Sequence, residues 1–128
     1  MGISLNGLGT LAHSQGDYAS ARTYHTESLT LFREIGDPRG MVYSLEAFAG
    51  LSTKQRKWEQ AAVLWGAAEA LREVIGSPRP ADERDQYDRD VAEVHQELEE
   101  EAFSTAWAKG RSMTMKQAVT LALEFPVV

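Results

Sequence analysis

The chain of 128 residues contains no cysteine. Disulfide bonds, thiol catalysis and zinc sites built on cysteine are therefore excluded, and the chain is compatible with a reducing cytoplasm, where we expect it. Histidine is scarce too, since His13, His25 and His95 are the only ones and no two are four residues apart, as in a zinc-binding helix. We predict no metal site and no cofactor.

Long apolar runs are also missing. No segment approaches the ~20 apolar residues that a transmembrane helix needs. The N-terminus lacks a basic region followed by a long apolar stretch, so a signal peptide is not expected. We therefore predict no membrane partner.

Basic residues are outnumbered, with 13 Lys and Arg against 19 Asp and Glu, for a net charge of −6. The acidic excess lies in residues 81–101, which hold ten acidic and two basic side chains. Such a segment repels nucleic acid phosphates, so we predict no direct nucleic-acid binding. Two interpretations of the segment stay open: a solvated outer face, or a docking face for a basic partner.

The feature that is present is an internal repeat of forty residues. Ten of the thirty-nine positions in residues 2–40 are identical in residues 42–80, and the longest match joins Ile35–Arg39 to Ile75–Arg79. Unrelated sequences would share about two or three such positions. A period of this length is typical of a stacked supersecondary unit, and it favours a binding surface.

Each copy has the pattern of a helix, a turn and a second helix. Apolar residues recur at helical spacing on both sides of the turn residues Gly16 and Asp17. Gly36 stands where the second helix would end in a left-handed residue, and Pro38 where the next helix would begin. In the first copy, His25 lies on the apolar side of the second predicted helix, and we interpret it as a packed core histidine.

Residues 85–125 match neither copy, but the helical pattern continues in them. An acidic first turn at Ala81–Glu83 predicts one helix, and Gly110 marks the predicted end of a second. Thr114–Gln117 has the form of a capping box that would begin a third. We therefore predict seven helices, four in the two repeats and three that cap the array.

A set of residues in the first copy resembles the motif of the tetratricopeptide repeat (TPR): Leu8-Gly9, Ala12, Gly16-Asp17-Tyr18, Ala21 and Ser28-Leu29. The common TPR has about 34 residues. The longer repeat here, with its ending Leu31 to Gly40, looks like the sensor arrays of bacterial signalling ATPases, which often carry a LuxR-type DNA-binding domain. The later stretch Trp65–Arg72 and the segment Ala102 to Glu124 resemble the C-terminal end of such arrays.

The resemblance implies an all-α fold, namely a TPR-like right-handed α-solenoid of antiparallel helix pairs with a helical C-terminal cap. Residues 1–128 would form one domain. Repeat 1 would cover about 2–37, repeat 2 about 40–77, and the capping helices about 81–125.

The resemblance also implies a binding surface, because TPR arrays present the first helix of each repeat along a concave face. The residues carried over to that face are Asn6, Thr10, His13, Tyr43, Glu46, Thr53 and Lys54. Helical spacing independently places the members of each copy on one side. The alternative for each residue is an ordinary solvent-facing helix position. Glu46 would repel a peptide's terminal carboxylate, so we do not predict binding of chaperone tails.

Candidate catalytic motifs are weak. Gly7–Ala12 satisfies a dinucleotide-binding pattern, but only six residues precede it, too few for the strand that such a site needs. The carboxylates between Asp82 and Asp90 lie on one predicted helix, whereas catalytic pairs normally face each other across a cleft. We predict no enzyme activity and no catalytic residue.

The leading functional hypothesis is a non-catalytic scaffold that binds a protein or peptide, as the terminal part of a transcriptional regulator or signalling ATPase. The alternative is a module that senses a small-molecule effector. A homodimer is a further prediction. Leu5, Leu8 and Leu11, or alternatively Tyr24 and Phe32, would leave apolar area that a second copy or a preceding repeat would cover.

Overall fold

The computed structural model describes residues 8, 9, 11, 12 and 15–125, and all regular secondary structure in these residues is α-helical. Six helices have defined bounds: α1 Tyr18–Ile35, α2 Pro38–Lys54, α3 Trp58–Ile75, α4 Ala81–Glu97, α5 Glu100–Arg111 and α6 Met115–Glu124. The all-α prediction is confirmed, and residues 8, 9, 11 and 12 are helical as well. Within the described ranges, no helix is long and apolar enough to cross a bilayer.

The forty-residue period of the sequence returns in the backbone. Helices α1 and α3 both have 18 residues and begin forty positions apart. Each ends in a left-handed glycine, Gly36 with φ 69° and Gly76 with φ 66°. The turns before them also match, because Gly16 and Arg56 both have positive φ, 81° and 60°. The predicted caps and turns of the two copies are therefore confirmed.

The two copies differ at the start of the following helix. Helix α2 begins directly after Asp37, whose carboxylate accepts a hydrogen bond from the Gly40 amide at 3.1 Å. In the second copy Pro80 replaces that glycine, so the amide donor is lost and the helical conformation of Arg79 is disfavoured. Helix α4 therefore begins only at Ala81, and Arg79 stays in the linker between two helices.

Helix α3 is the centre of the core. It packs against α2, α4, α5 and α6. Ten of its 18 residues are buried, and six of the ten are alanine or glycine. A helix that is apolar over most of its circumference is stable only when other elements surround it. Small side chains let those elements approach closely.

Helix α3 crosses α5 with the two backbones in contact. A Cβ atom placed on Gly66 would lie 2.5 Å from the carbonyl oxygen of Trp107. A Cβ atom placed on Gly110 would overlap the carbonyl oxygen of Val63 and lie 2.8 Å from the amide nitrogen of Ala67. Both glycines are therefore required by the close approach.

The prediction that Gly110 ends a helix is wrong. Helix α5 continues to Arg111, and Ser112 follows it in the right-handed conformation. Left-handed φ angles occur, among the glycines whose structure is described, at Gly16, Gly36 and Gly76. Glycine at position 110 is explained by the contact with α3, a constraint that sequence spacing along a single helix does not reveal.

Helix α6 returns to the first repeat. Its predicted capping box is present, since Thr114 and Gln117 each bind the other's backbone. At the other end, Arg22 of α1 donates hydrogen bonds to the carbonyl oxygens of Ala122 at 3.4 Å and Leu123 at 2.9 Å. A cation at a helix C-terminus stabilises the helix through the unsatisfied carbonyls there.

The crossing of α3 and α5 generates a first prediction. Gly110→Ala should lower the free energy of unfolding by about 2 kcal/mol or more, because the new methyl group meets backbone atoms that cannot rotate away. Urea unfolding followed by circular dichroism measures the change.

The matched control is Gly50→Ala in α2, where an added Cβ meets nothing within 4 Å. This variant should gain about 0.5–1 kcal/mol, because alanine is the better helix former. Equal stabilities of the two variants would contradict a backbone contact at Gly110.

Candidate functional site

A cleft of about 450 Å³ lies between α2, α3 and α4. One wall is the face of α2 that carries Tyr43, Glu46, Gly50 and Lys54, which follow one another at three- and four-residue steps. The opposite wall is α4, and Trp65 of α3 lies between them. Arg79 reaches the cleft from the linker that Pro80 keeps out of the helix.

Three of the predicted partner-binding residues, Tyr43, Glu46 and Lys54, line this cleft. Thr53 does not, because it is one position, or about 100°, around the helix from Lys54. It is only 2% exposed. Its hydroxyl donates to the Ala49 carbonyl at 2.9 Å and accepts from Trp65 Nε1 at 3.2 Å. Thr53 therefore holds the Trp65 indole in position from the core side.

The other three predicted residues, Asn6, Thr10 and His13, lie outside the described residues. The part of the predicted concave face that belongs to the first copy is therefore not placed. Of its second-copy part, Tyr43, Glu46 and Lys54 lie on one wall of the cleft, and Thr53 does not. The core assignment of His25 is confirmed, because its side chain is fully buried.

Glu46 is the electrostatic centre of the cleft. Its carboxylate receives a two-pronged contact from Arg72, with Nη2 at 2.6 Å and Nε at 2.9 Å, and a further contact from Arg79. All three side chains are only 11–12% exposed. The carboxylate raises the pKa of the Arg72 guanidinium, because it stabilises the charged form.

A second set of contacts continues from Arg79 toward α5. Its guanidinium lies 3.5 Å from the ring centroid of Tyr87. The Tyr87 hydroxyl donates to Glu69 at 2.6 Å, and Glu69 also accepts from Arg111 at 2.9 Å. Burial, aided by the Glu69 carboxylate, raises the pKa of the Tyr87 phenol, so this group remains a hydrogen-bond donor at neutral pH.

Three aromatic rings line the cleft. Tyr87 meets Trp65 edge to face, with ring centroids 5.4 Å apart and planes at 82°. Tyr43 lies on the α2 wall and is half-buried. Its pKa is raised, first by burial and then by the nearby carboxylates of Glu83 and Glu46. The rings provide rigid apolar surface beside the charged groups.

The α4 wall carries two carboxyl groups in unfavourable surroundings. Burial raises the pKa of Glu83, and Glu46 and Asp82 add to the effect. Burial also raises the pKa of Asp90, which is only 8% exposed, although Gln86 donates a hydrogen bond to it at 2.9 Å. The two are seven residues, or about 10 Å, apart on one face of α4.

Arg79 and the α4 wall are not among the predicted site residues. The prediction for residues 81–101 is a solvated outer face or a docking face for a basic partner, whereas Glu83, Tyr87 and Asp90 line the cleft. Their three- and four-residue spacing places them on one side of a helix and was a usable signal. Nothing in the spacing of α4 alone indicates which element lies opposite that side.

No group of three or more acidic or histidine side chains in the described part of the chain is arranged to hold a metal ion. Comparison with family models, curated proteins and solved structures gave no match. The chemistry of the cleft therefore has to be inferred from its own side chains, which offer carboxylates, guanidinium groups and aromatic faces.

The Glu46 cluster generates a second prediction. Glu46→Gln should lower the free energy of unfolding by roughly 2–4 kcal/mol, because two nearly buried guanidinium groups lose their anion. Glu73→Gln is the matched control, since its contact with Arg111 is far more exposed and water screens the attraction, so the loss should be much smaller than for Glu46→Gln. The two variants are compared by chemical denaturation at pH 7. Equal losses of unfolding free energy would contradict a stabilising role for the Glu46 carboxylate.

A third prediction concerns Asp90 and pH. Because its pKa is raised in the folded state, the native chain holds the proton to higher pH, and stability is lost as pH rises through that pKa. Asp90→Asn cannot ionise, so it should gain stability over the unmodified chain at pH 7 and lose that advantage near pH 3.

The control for this measurement is Asp88→Asn, which removes the same charge from an exposed position of α4. Denaturant unfolding at both pH values should show little change for it. An Asp90→Asn variant that is less stable at pH 7 than at pH 3, relative to the unmodified chain, would contradict the burial of a charged carboxylate.

Proposed function

We propose that this chain is a non-catalytic scaffold of TPR type that binds a protein or peptide in the cleft between α2, α3 and α4. The support comes first from the repeat. The matching helices α1 and α3, with their matching turns and glycine caps, are what two copies of one helix–turn–helix unit require. In TPR arrays, the first helix of each repeat lines the binding face, and α2 has that position in the second copy.

The observation that carries the proposal is the cleft itself. Its α2 wall contains Tyr43, Glu46 and Lys54, which the resemblance assigns to partner binding. Its mixture of charged groups and aromatic rings offers both orientation and apolar contact to a partner. With a volume of about 450 Å³, it has room for one or two side chains of a peptide.

A small-molecule effector is the alternative function. The cleft volume of about 450 Å³ falls within the range of roughly 300–1,000 Å³ that is typical of small-molecule pockets. In that case the chain would serve as the sensing module of a cytoplasmic regulator or signalling ATPase. The two functions share the cleft and differ in the size of the occupant.

Self-association is a separate element of the proposal. Leu8 and Leu11, at the start of the described residues, are 47% and 56% exposed. An apolar surface there would be covered by a second copy of the chain or by a preceding repeat. Light scattering that detects only monomer at high concentration would contradict the homodimer.

The test of peptide binding uses Gly50, which lines the cleft and has open space where a side chain would project. Peptides selected from a displayed library against the unmodified chain are titrated by calorimetry into Gly50→Leu. The leucine side chain should fill the cleft and weaken binding by at least about tenfold, since it excludes a partner side chain.

Ala92→Leu is the control, because it adds the same side chain at an exposed position of α4 outside the cleft. It should bind like the unmodified chain. Selected peptides that bind Gly50→Leu equally well would overturn the proposal. A thermal-shift screen that finds a stabilising metabolite while no peptide is selected would replace it with effector sensing.

A further inference from the structure

We propose that the cleft recognises a cationic group, the amine or guanidinium of a basic side chain on the partner peptide. This inference rests on the proposed function and specifies its ligand. It is carried by three features of the cleft: the way it already holds one guanidinium group, its balance of charges, and a buried carboxylate on its wall.

The chain itself supplies an example of the ligand chemistry. The Arg79 guanidinium is held between the Glu46 carboxylate and the face of the Tyr87 ring, 3.5 Å from the ring centroid. A cation over an aromatic face is attracted by the ring's negative π surface, more strongly where water is excluded. The walls of the cleft therefore accept a guanidinium group in at least one position.

The charges of the cleft are not balanced. Arg72 and Arg79 both contact Glu46, which neutralises only one of them. With Arg72 counted alongside the lining, the cleft has three cations against four carboxylates, a net charge of −1: Lys54, Arg72 and Arg79 against Glu46, Asp82, Glu83 and Asp90. Lys54 is exposed at the end of α2, so the ammonium group is solvated as well as attracted to the acidic wall. An entering anion would be repelled, and an entering cation would restore the balance.

Asp90 is the most deeply buried carboxylate of the α4 wall. Its side chain belongs to a residue that is 92% buried, and it lines the cleft. One carboxylate oxygen accepts from the neutral amide of Gln86. Lys54 and Arg89 also attract the carboxylate, but their attraction does not outweigh its burial, which still raises its pKa. Burying a carboxylate without a close cation costs free energy. A basic group that enters the cleft would remove this cost, and the relief would contribute to binding.

Glu83 extends the acidic wall by two helical turns. It is half-buried on the same side of α4 as Asp90, with Tyr87 between them. The wall therefore has the sequence carboxylate, aromatic ring, carboxylate along about 10 Å of helix. An aliphatic stem that ends in an amine or guanidinium matches this arrangement, because the stem packs on the ring and the head group reaches a carboxylate.

The experiment uses blocked pentapeptides in which a central Arg, Lys, Gln or Glu is flanked by glycines, together with the free diamine 1,5-diaminopentane. Binding to the full chain at low ionic strength is followed by NMR titration, which detects weak complexes. We expect the Arg and Lys peptides to bind, with shifts of the Trp65 and Tyr87 resonances, and the Gln and Glu peptides not to bind.

Two variants test the wall. Asp90→Asn and Glu83→Gln should each weaken binding of the basic peptides by roughly tenfold, the loss expected for one charge-assisted hydrogen bond. Asp88→Asn, which removes the same charge from the exposed side of α4, should bind like the unmodified chain. Circular dichroism confirms that each variant is folded, and the more exposed Glu83 provides a result should Asp90→Asn misfold.

The outcomes separate the inference from the function. Basic peptides that bind all variants equally, or do not bind, would overturn the inference. A neutral or acidic peptide that binds the unmodified chain but not Gly50→Leu would also overturn it while leaving peptide binding intact. Binding of the free diamine alone, with the same losses in Asp90→Asn and Glu83→Gln, would support the cationic site and overturn the peptide as its occupant.

Discussion

The contact between the backbones of α3 and α5 is the constraint on which the other features depend. At Gly66 and Gly110 the two helices approach more closely than any side chain would permit. This approach fixes α5 against the second repeat, and α5 follows α4 after the two residues Leu98 and Glu99. The end of α4, and with it one wall of the cleft, is therefore positioned by a packing contact outside the cleft.

Polar contacts fix the other end of α4. Glu46 binds both Arg72 and Arg79. Arg79 packs on the ring of Tyr87, whose hydroxyl donates to Glu69 of α3. Nearly buried ion pairs contribute little net stability, because desolvation offsets much of their attraction. Their effect is positional: each member is satisfied only when α2, α3 and α4 are correctly placed. The packing contact at Gly110 and the polar contacts around Glu46 therefore position the two ends of α4.

Local signals predicted much of the fold. The glycine caps at Gly36 and Gly76 and the capping box at Thr114 are short-range features, which depend on backbone conformation within a few residues. The repeat predicted matching helices, and α1 and α3 match. Gly110 was misassigned because a glycine near the end of an apolar stripe fits both a cap and a close helix crossing, and only the position of α3 distinguishes them.

The candidate site was predictable on one wall only. The TPR resemblance named Tyr43, Glu46 and Lys54 on α2, and helical spacing agreed with it. Thr53, which the resemblance also named, lies in the core instead. The opposite wall depends on where α4 lies in space. That position follows from Pro80, which delays the helix, and from the contact at Gly110, which fixes its far end. Neither is a property of the acidic segment itself.

Nuclear Overhauser effects between α3 and α5, in the assigned NMR spectrum of the full chain, test the backbone contact most directly. Strong cross-peaks are expected from the α-protons of Gly110 to the amide proton of Ala67, because their backbones are in contact. Assigned resonances without these cross-peaks would show that α5 lies elsewhere, and the wall of the cleft would then have no fixed position.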